Sequence, residues 1–403
     1  MVPFCRGKDM GLKERQICIV GGGIGGLSAA LALTQRGARV AVLEQAPEIR
    51  EVGAGIQISP NGFAVIRALG LAGEFSARTI RGREVLLRDG ATGRNVFRLD
   101  LNRAGPGQRY SFVHRADMVE MLAGAARKAG VRIRLLQQVT SVDLGGAKPV
   151  LKTALGASYT PDILIGADGL HSQVRRAING AAEPFFTNQV AWRALVPMQS
   201  PPAPCATVFM GPGRHLVAYP LRDGAVMNIV AVQEREKWAE EGWFHQDDPE
   251  NLRAAFAGFC PEVQRLLAHV EDVHLWGLFR HPVAKLWHRK RAAILGDAAH
   301  PTLPFLAQGA NMALEDAWVL ADSMDRSDSL QAAFADYQQR RRERVVHVID
   351  AATRNARNYH MRASPLRFAA HGALRLGGAL VPNMALKKFD WLYGHDVTQV
   401  ELP

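Results

Sequence analysis

Hydrophobic and polar positions follow two different periods along this chain. Near the N-terminus an apolar run, Ile17 to Val20, breaks at Gly21-x-Gly23-x-x-Gly26, and a helix-like stretch, Leu27 to Arg36, follows. A second apolar run, Ala38 to Leu43, closes on Glu44. Strand, tight turn, helix and strand in that order describe a dinucleotide-binding unit. Gly21 permits the turn, Gly23 lets backbone approach a pyrophosphate, and Gly26 lets helix and strand pack closely. The helix N-terminus then offers unpaired N–H groups and partial positive charge to phosphates. Glu44 stands 23 positions after the first glycine (44 − 21), suited to accepting a ribose hydroxyl.

Beyond Glu44, Ser59-Pro60-Asn61 is a helix-start signal and predicts a helix over 62–69. Alternating segments at 83–88 and 95–99 read as strands, and His114-Arg115-Ala116-Asp117 precedes an apolar-periodic helix over 118–129. Strands are expected at 131–136, 139–142 and 151–154, then a buried one in Asp162-Ile-Leu-Ile-Gly-Ala-Asp168. From about Glu183 to Phe279 the pattern alternates. Asp223-Gly224 between two such runs signals a two-residue hairpin turn, which pairs Tyr219 with Asn228. Nucleotide-type pattern returns at Arg291-Ala-Ala-Ile-Leu-Gly-Asp297, followed by a proline-containing loop and a helix over 309–324. The fold class is therefore α/β. A Rossmann-type dinucleotide-binding fold at 14–182 and 285–355 carries an inserted antiparallel β-sheet substrate domain at 183–284, with a helical C-terminal part at 356–403.

Composition narrows the function. At 403 residues and 48% hydrophobic, the chain can build a large core in two or three units. The net charge of +11 is spread out, and its densest cluster, Arg340 to Arg344, reads as a solvated helix face, not a nucleic-acid patch. Such a field steers anionic substrates and nucleotides inward. Cys5, Cys18, Cys205 and Cys260 lack metal or redox spacing, which points to a reducing cytoplasm. The first fifteen residues have no signal-peptide core, and the apolar stretch Phe368 to Pro382 is too short and polar for stable membrane insertion.

Three motifs now stand in order: the glycine triplet, Asp168-Gly169, and Gly296-Asp297 within Gly-Asp-Ala-Ala-His-Pro. Together they resemble the single-component flavin aromatic hydroxylases of the para-hydroxybenzoate hydroxylase class. The chain is most similar to the salicylate, 3-hydroxybenzoate and 6-hydroxynicotinate monooxygenase subgroup. The resemblance covers nearly the whole chain, including Phe389-Asp-Trp-Leu-Tyr-Gly-His-Asp396. It implies FAD as cofactor, NADH or NADPH and O2 as partners, and a small aromatic substrate hydroxylated through a flavin C4a-hydroperoxide. A homodimer is compatible with it.

Residue by residue, the resemblance assigns Gly21, Gly23 and Gly26 to the FAD pyrophosphate and Glu44 to its adenosine ribose, and it counts Gly25, Gln45 and Val139 among the FAD-binding residues. Arg115 is assigned to the phosphate–ribityl region, where a guanidinium forks two hydrogen bonds to phosphate. Asp168 and Gly169 are assigned to FAD and the incoming nicotinamide nucleotide, and Asp297 to a ribityl hydroxyl. Gly309 and Ala310 open a helix whose N–H groups point at the flavin pyrimidine ring. Helix capping is the alternative for Asp168 and Asp297.

For substrate, strand periodicity puts His215, Val217 and Tyr219 on one face, with Asn228 opposite Tyr219. His215 and Tyr219 are the catalytic candidates, because a phenol becomes far more nucleophilic once a base takes its proton. Relatives carry histidine or glutamine where Pro304 and Phe305 stand, and histidine where Gln57 stands. Phe305 suggests a larger or less polar ring, or activation by His215 alone. His300 is read as a loop support. Arg193 is a carboxylate anchor or an ion-pair partner, left unassigned. Rival readings are a quinone-precursor hydroxylase, a flavin-dependent reductase on the same scaffold, and a flavin-binding regulator without turnover.

Overall fold

The computed structural model describes residues 12–49, 54–103, 105, 107–236, 245–362, 372 and 387–399. Two sheets organise it. The first runs 288–289, 292–294, 163–166, 16–20, 39–43, 132–134 in spatial order. All neighbours in it are parallel except the short 288–289/292–294 hairpin. Its central strands, Gln16–Val20 and Ile163–Gly166, are buried on both faces, which explains their continuous apolar sequence. Helix Ile24–Thr34 is buried around nearly its whole circumference, and it packs against Gly309–Arg326 and Arg115–Lys128.

The second sheet has eight strands, in the order 245–247, 273–280, 185–197, 226–234, 214–221, 205–211, 84–89, 95–100. It is not built from 183–284 alone. Glu84–Asp89 and Asn95–Asp100, assigned by sequence to the nucleotide-binding part, extend its edge. Glu84–Asp89 runs parallel to Cys205–Gly211, so the sheet is mixed where an antiparallel one is expected. Alternation marks a strand but does not say which sheet it joins. Helices Pro249–Ala255 and Pro261–Ala268 cover one face over a core containing Trp192, Leu216, Ala218 and Ile229. The other face carries His215, Val217 and Tyr219.

Tyr219 pairs with Asn228, in the register that the hairpin spacing predicts. The ladder ends at Leu221–Val226, leaving four connecting residues; Arg222, Asp223 and Gly224 all have positive φ. That conformation suits the right-handed twist of the flanking strands.

The arginine cluster corrects another expectation. Helix Leu330–Tyr359 buries Arg341 completely, against Glu315 and Asp316 of Gly309–Arg326, and Arg344 reaches Glu315 as well. Arg342 and Glu343 do face solvent. Of the long C-terminal apolar stretch, Phe368 to Pro382, all but Gly372 lies outside the described residues. Among the described residues no helix is long and apolar enough to cross a membrane.

Candidate active site

Strands Gln16–Val20, Ile163–Gly166 and Ala292–Ile294 are parallel neighbours, so their C-terminal ends open on the same edge. Gly21, Asp168 and Asp297 all follow those ends, and the three sequence motifs therefore meet. This edge is where open α/β sheets bind ligands.

Two glycines there admit no side chain. Gly21 has φ +103°, and a Cβ on it would lie 2.2 Å from the Ala167 carbonyl oxygen. A Cβ on Gly26 would lie 2.0 Å from the Gly21 carbonyl oxygen. Gly23 caps the helix in extended backbone, with neither a side-chain cap nor an acidic residue in the first turn. Its leading N–H groups are left for an anion. Gly25 works differently: its Cβ would meet Leu295 Cδ1 at 2.8 Å, so it brings the helix close to the third motif.

Glu44 holds the loop itself. Its carboxylate accepts from Gly22 N at 2.6 Å and Ala46 N at 2.9 Å, leaving lone pairs over for a ribose. Gln45 is exposed beside it, and Val139 is buried at the start of its strand. The Glu44 carbonyl accepts from Gln137 N at 2.8 Å, which draws that strand toward the loop.

The two aspartates part company. Asp168 accepts from Gln173 N at 2.8 Å and from the hydroxyl of Ser172, the N-cap of helix Gln173–Asn179, so its carboxylate braces that helix start, while Gly169 takes a left-handed φ of +72°. The side chain of Asp297 has no hydrogen bond among the described residues and stands exposed. Even so, burial holds its carboxyl above the ordinary range, against the pull of His300 and Arg115. Protein crowds this carboxyl while water still reaches it. Burial, opposed by Asp297, likewise lowers Arg115.

Beneath this edge lies a buried polar network. His300 Nε2 and Asp316 Oδ2 are 2.5 Å apart, and Gly296 N donates to the same oxygen at 3.0 Å. Arg341 Nε donates to Asp316 Oδ1 at 2.8 Å. Asn61 donates to Glu315 at 2.6 Å and to Gln308 at 3.1 Å. These bonds fix the loop bearing Asp297 and the start of helix Gly309–Arg326. Gln308 caps that helix without a side-chain bond to it, and its first turn holds no acid, so the N–H groups of Gly309 and Ala310 stay open.

The second sheet presents its inner face to this edge. Registers align His215 with Val232 and Ala191, Val217 with Val230 and Arg193, and Tyr219 with Asn228 and Leu195. His215 is wholly buried against Phe305 and Tyr359, with ring centroids at 5.3 and 5.2 Å. Burial, then His360, holds its imidazole well below the ordinary range. Phe305 thus walls in His215 from the flavin-side loop, and His215 does not act alone: its Nδ1 lies 2.7 Å from His360 Nε2. Tyr219 is pushed up by burial, against Arg193 and a hydrogen bond with Gln57. Gln57 also accepts from the Tyr110 hydroxyl at 2.6 Å.

Two donors on this face lack partners. Arg193 Nε and Asn228 Nδ2 are buried with no hydrogen bond among the described residues. Arg193 lies over the Trp276 ring, 4.6 Å from its centroid, and no carboxylate pairs with it among the described residues. Burial, then neighbouring Arg115, lowers it to about 10. The ion-pair alternative for Arg193 therefore falls.

His360, Tyr110, Asn61 and Glu234 were not singled out by the sequence reading. Only Asn61 sits in a motif, the Ser59-Pro60-Asn61 helix start, which says nothing of Glu315 or Gln308, and each of the four reaches the site from a separate segment.

The cradle, the open helix starts and the crowded but open Asp297 fit FAD. Residues 14–352 match the FAD binding domain family. A 3-amino-4-hydroxybenzoate 2-monooxygenase of Streptomyces platensis is 32% identical over 96% of this chain and 97% of its own length. A 3-hydroxybenzoate 6-hydroxylase of Polaromonas naphthalenivorans is 33% identical over 94% and 96%. Klebsiella pneumoniae HpxO, solved with FAD and uric acid, superposes with a TM-score of 0.79 at 28% identity, covering 92% of this chain and 95% of HpxO. The chain belongs to the FAD-binding-domain family of flavoprotein hydroxylases. It is an FAD-dependent monooxygenase.

Proposed function

We propose that this enzyme inserts one oxygen atom into a small aromatic or nitrogen-heteroaromatic acid carrying a ring hydroxyl, using O2 and NADH or NADPH. The observation that carries the reading is Arg193. A buried guanidinium with an orphan donor and, among the described residues, no acidic partner calls for an anion. A substrate carboxylate supplies one, as in the benzoate and nicotinate substrates in the names of the relatives.

FAD, when bound, supplies the reducing equivalents that activate O2. The chain's own residues do the rest. Gly21, Gly23, Gly25 and Gly26 would cradle the pyrophosphate, Glu44, Gln45 and Val139 would hold the adenosine end, Arg115 and Asp297 the phosphate and ribityl region, and the Asp168-Gly169 turn would meet FAD and the incoming nicotinamide nucleotide. The open N–H groups at the Gly309–Ala310 helix start would favour negative charge on the flavin ring. Arg193 holds the carboxylate, while Asn228 and Tyr219 orient the ring. His215 takes the hydroxyl proton at Nε2, since burial keeps its imidazole neutral. Phe305 and Val217 exclude water. We place the enzyme in the cytoplasm, where the free thiols Cys18, Cys205 and Cys260 stay reduced.

The test is substrate-stimulated NAD(P)H oxidation by the FAD-loaded enzyme, across hydroxybenzoates, hydroxynicotinates and their decarboxylated counterparts, with product identification. Hydroxylated acids with little turnover of neutral phenols are expected. Preference for neutral phenols would overturn the reading.

A further inference from the structure

Three elements meet behind His215. It lies on strand Arg214–Leu221, Glu234 ends strand Val226–Glu234, and His360 caps the C-terminus of helix Leu330–Tyr359. The Nδ1 of His215 is 2.7 Å from His360 Nε2, and His360 Nδ1 is 2.9 Å from Glu234 Oε1. The Gly213 amide donates to the His360 carbonyl at 3.1 Å, fixing the bridging residue to the strand. Exposure rises sharply along this line. His215 is 1% exposed and His360 5%, whereas the side chain of Glu234 is 49% exposed.

Both ring nitrogens of His360 are thus engaged, one inward and one outward. A carboxylate only accepts, so His360 carries its proton on Nδ1 and presents a lone pair at Nε2. His215 must then donate from Nδ1, which leaves the lone pair on its Nε2, the nitrogen left for substrate. The surface carboxylate sets the tautomer of a base two residues deeper.

We propose that Glu234, His360 and His215 form a single-file path carrying the substrate's hydroxyl proton between the buried face and bulk water. Its balance is simple. The hydroxyl O–H bond breaks and an N–H bond forms at His215 Nε2. His215 passes its Nδ1 proton to His360 Nε2, and His360 passes its own Nδ1 proton to Glu234 and on to water. No charge stays on the buried imidazole, and the substrate keeps the electron pair.

The groups facing the path agree with this direction of travel. Phe305 and Tyr359 pack on His215; Phe305 has no group to take a proton, and among the described residues no hydrogen bond joins the Tyr359 hydroxyl to His215, whose one partner is His360. Burial, then His360, disfavours a charged His215. At His360 burial and Arg214 disfavour charge, while the Glu234 hydrogen bond favours it. The charged form therefore becomes easier to hold toward the surface. Without an exit, a proton taken by His215 would be trapped in a dry site.

The inference rests on the hydroxyl-bearing substrate proposed above, so its test has one arm that needs no substrate. In the FAD-loaded enzyme with nitrogen-labelled histidine, long-range nitrogen–proton spectra report each tautomer. His215 protonated on Nδ1 in the wild type, and a mixture of tautomers in Glu234→Gln, is expected. His215 protonated on Nε2 in the wild type would overturn the path, whether or not any hydroxybenzoate is turned over.

The second arm uses 3-hydroxybenzoate as probe. His360→Ala should slow hydroxylation about tenfold or more below the phenol's own pKa. The loss should fade as pH rises and the phenol ionises unaided, and added imidazole should restore the rate. Glu234→Gln, a surface change, should give the same pH-dependent loss in milder form. A loss independent of pH, or one that imidazole leaves untouched, would show a packing role only and overturn the path.

Discussion

Tyr219 stands directly opposite Asn228 on adjacent strands, and Gly55 of the flavin-side layer rests on both. The Gly55 amide donates to Asn228 Oδ1 at 2.6 Å, and a Cβ on Gly55 would lie 2.7 Å from the Tyr219 ring. The substrate face and the cofactor layer therefore meet at a glycine with no spare room. Gly55→Ala should destabilise the protein by about 1–3 kcal/mol through overpacking, and uncouple NAD(P)H oxidation from product. Thermal unfolding and peroxide release check the two effects; wild-type values for both would show that the layers can part at no cost.

Arg193 gives the sharpest substrate test. Arg193→Gln should raise KM for aromatic acids about tenfold to a hundredfold, the range of a lost charge-assisted hydrogen bond, and leave neutral phenols nearly unaffected. Arg193→Lys should recover only part, because an ammonium lacks the planar fork. Steady-state kinetics on matched acid and neutral pairs measure it.

Asp297 offers its carboxylate to no protein donor among the described residues. Asp297→Ala should therefore lose FAD on purification while keeping its fold, read as flavin absorbance per protein beside the circular dichroism spectrum. Full flavin occupancy would remove Asp297 from the cofactor site.

The ion network sets a stability test. Burial would raise Glu315, but Arg341 and Arg344 hold it down to about 2. A depressed carboxyl stabilises the fold above its unfolded value, and that contribution disappears as pH falls toward about 2. Arg341→Met should strip the buried carboxylates of their main counter-charge, costing about 3–5 kcal/mol near neutrality. Chemical denaturation gives the difference, which should shrink in acid.

Buried histidines predict the opposite end of the acid response. His215, lowered by burial and then His360, takes up a proton more readily unfolded than folded. Its contribution is intact above the ordinary histidine value near 6.5. Below that, stability falls by up to about 1.4 kcal/mol per pH unit until the folded pKa is reached. The melting temperature should drop from about pH 7 to about pH 5, and His215→Asn should flatten that slope.

The cofactor edge was legible because its chemistry is local. Gly21 and Gly26 sit where backbone meets backbone, and no other residue fits, so the sequence must show them. The Tyr219–Asn228 register was legible because Asp223-Gly224 fixes it from within one hairpin. His360 was not, since nothing near it in sequence marks the strand it reaches. Arg341 was misread for the same reason: a run of arginines looks solvated until helix Gly309–Arg326 brings Glu315 and Asp316 against one side of it. Phe305 suggests a larger or less polar ring or activation by His215 alone; the fold adds that its ring packs on His215, and that His215 has His360 as a partner. Phe97 and Val85 alternated as strand residues, but only the fold shows their strands at the far edge of the second sheet.

The most direct measurement supplies the FAD-loaded enzyme with NAD(P)H, isotopically labelled O2 and a hydroxybenzoate that accelerates flavin reduction, then weighs the product. One labelled oxygen on the ring in the wild type, falling to peroxide release in Arg193→Gln and His215→Asn, is the expected result. Labelled peroxide alone, with every aromatic acid recovered unchanged from the wild type, would contradict the account.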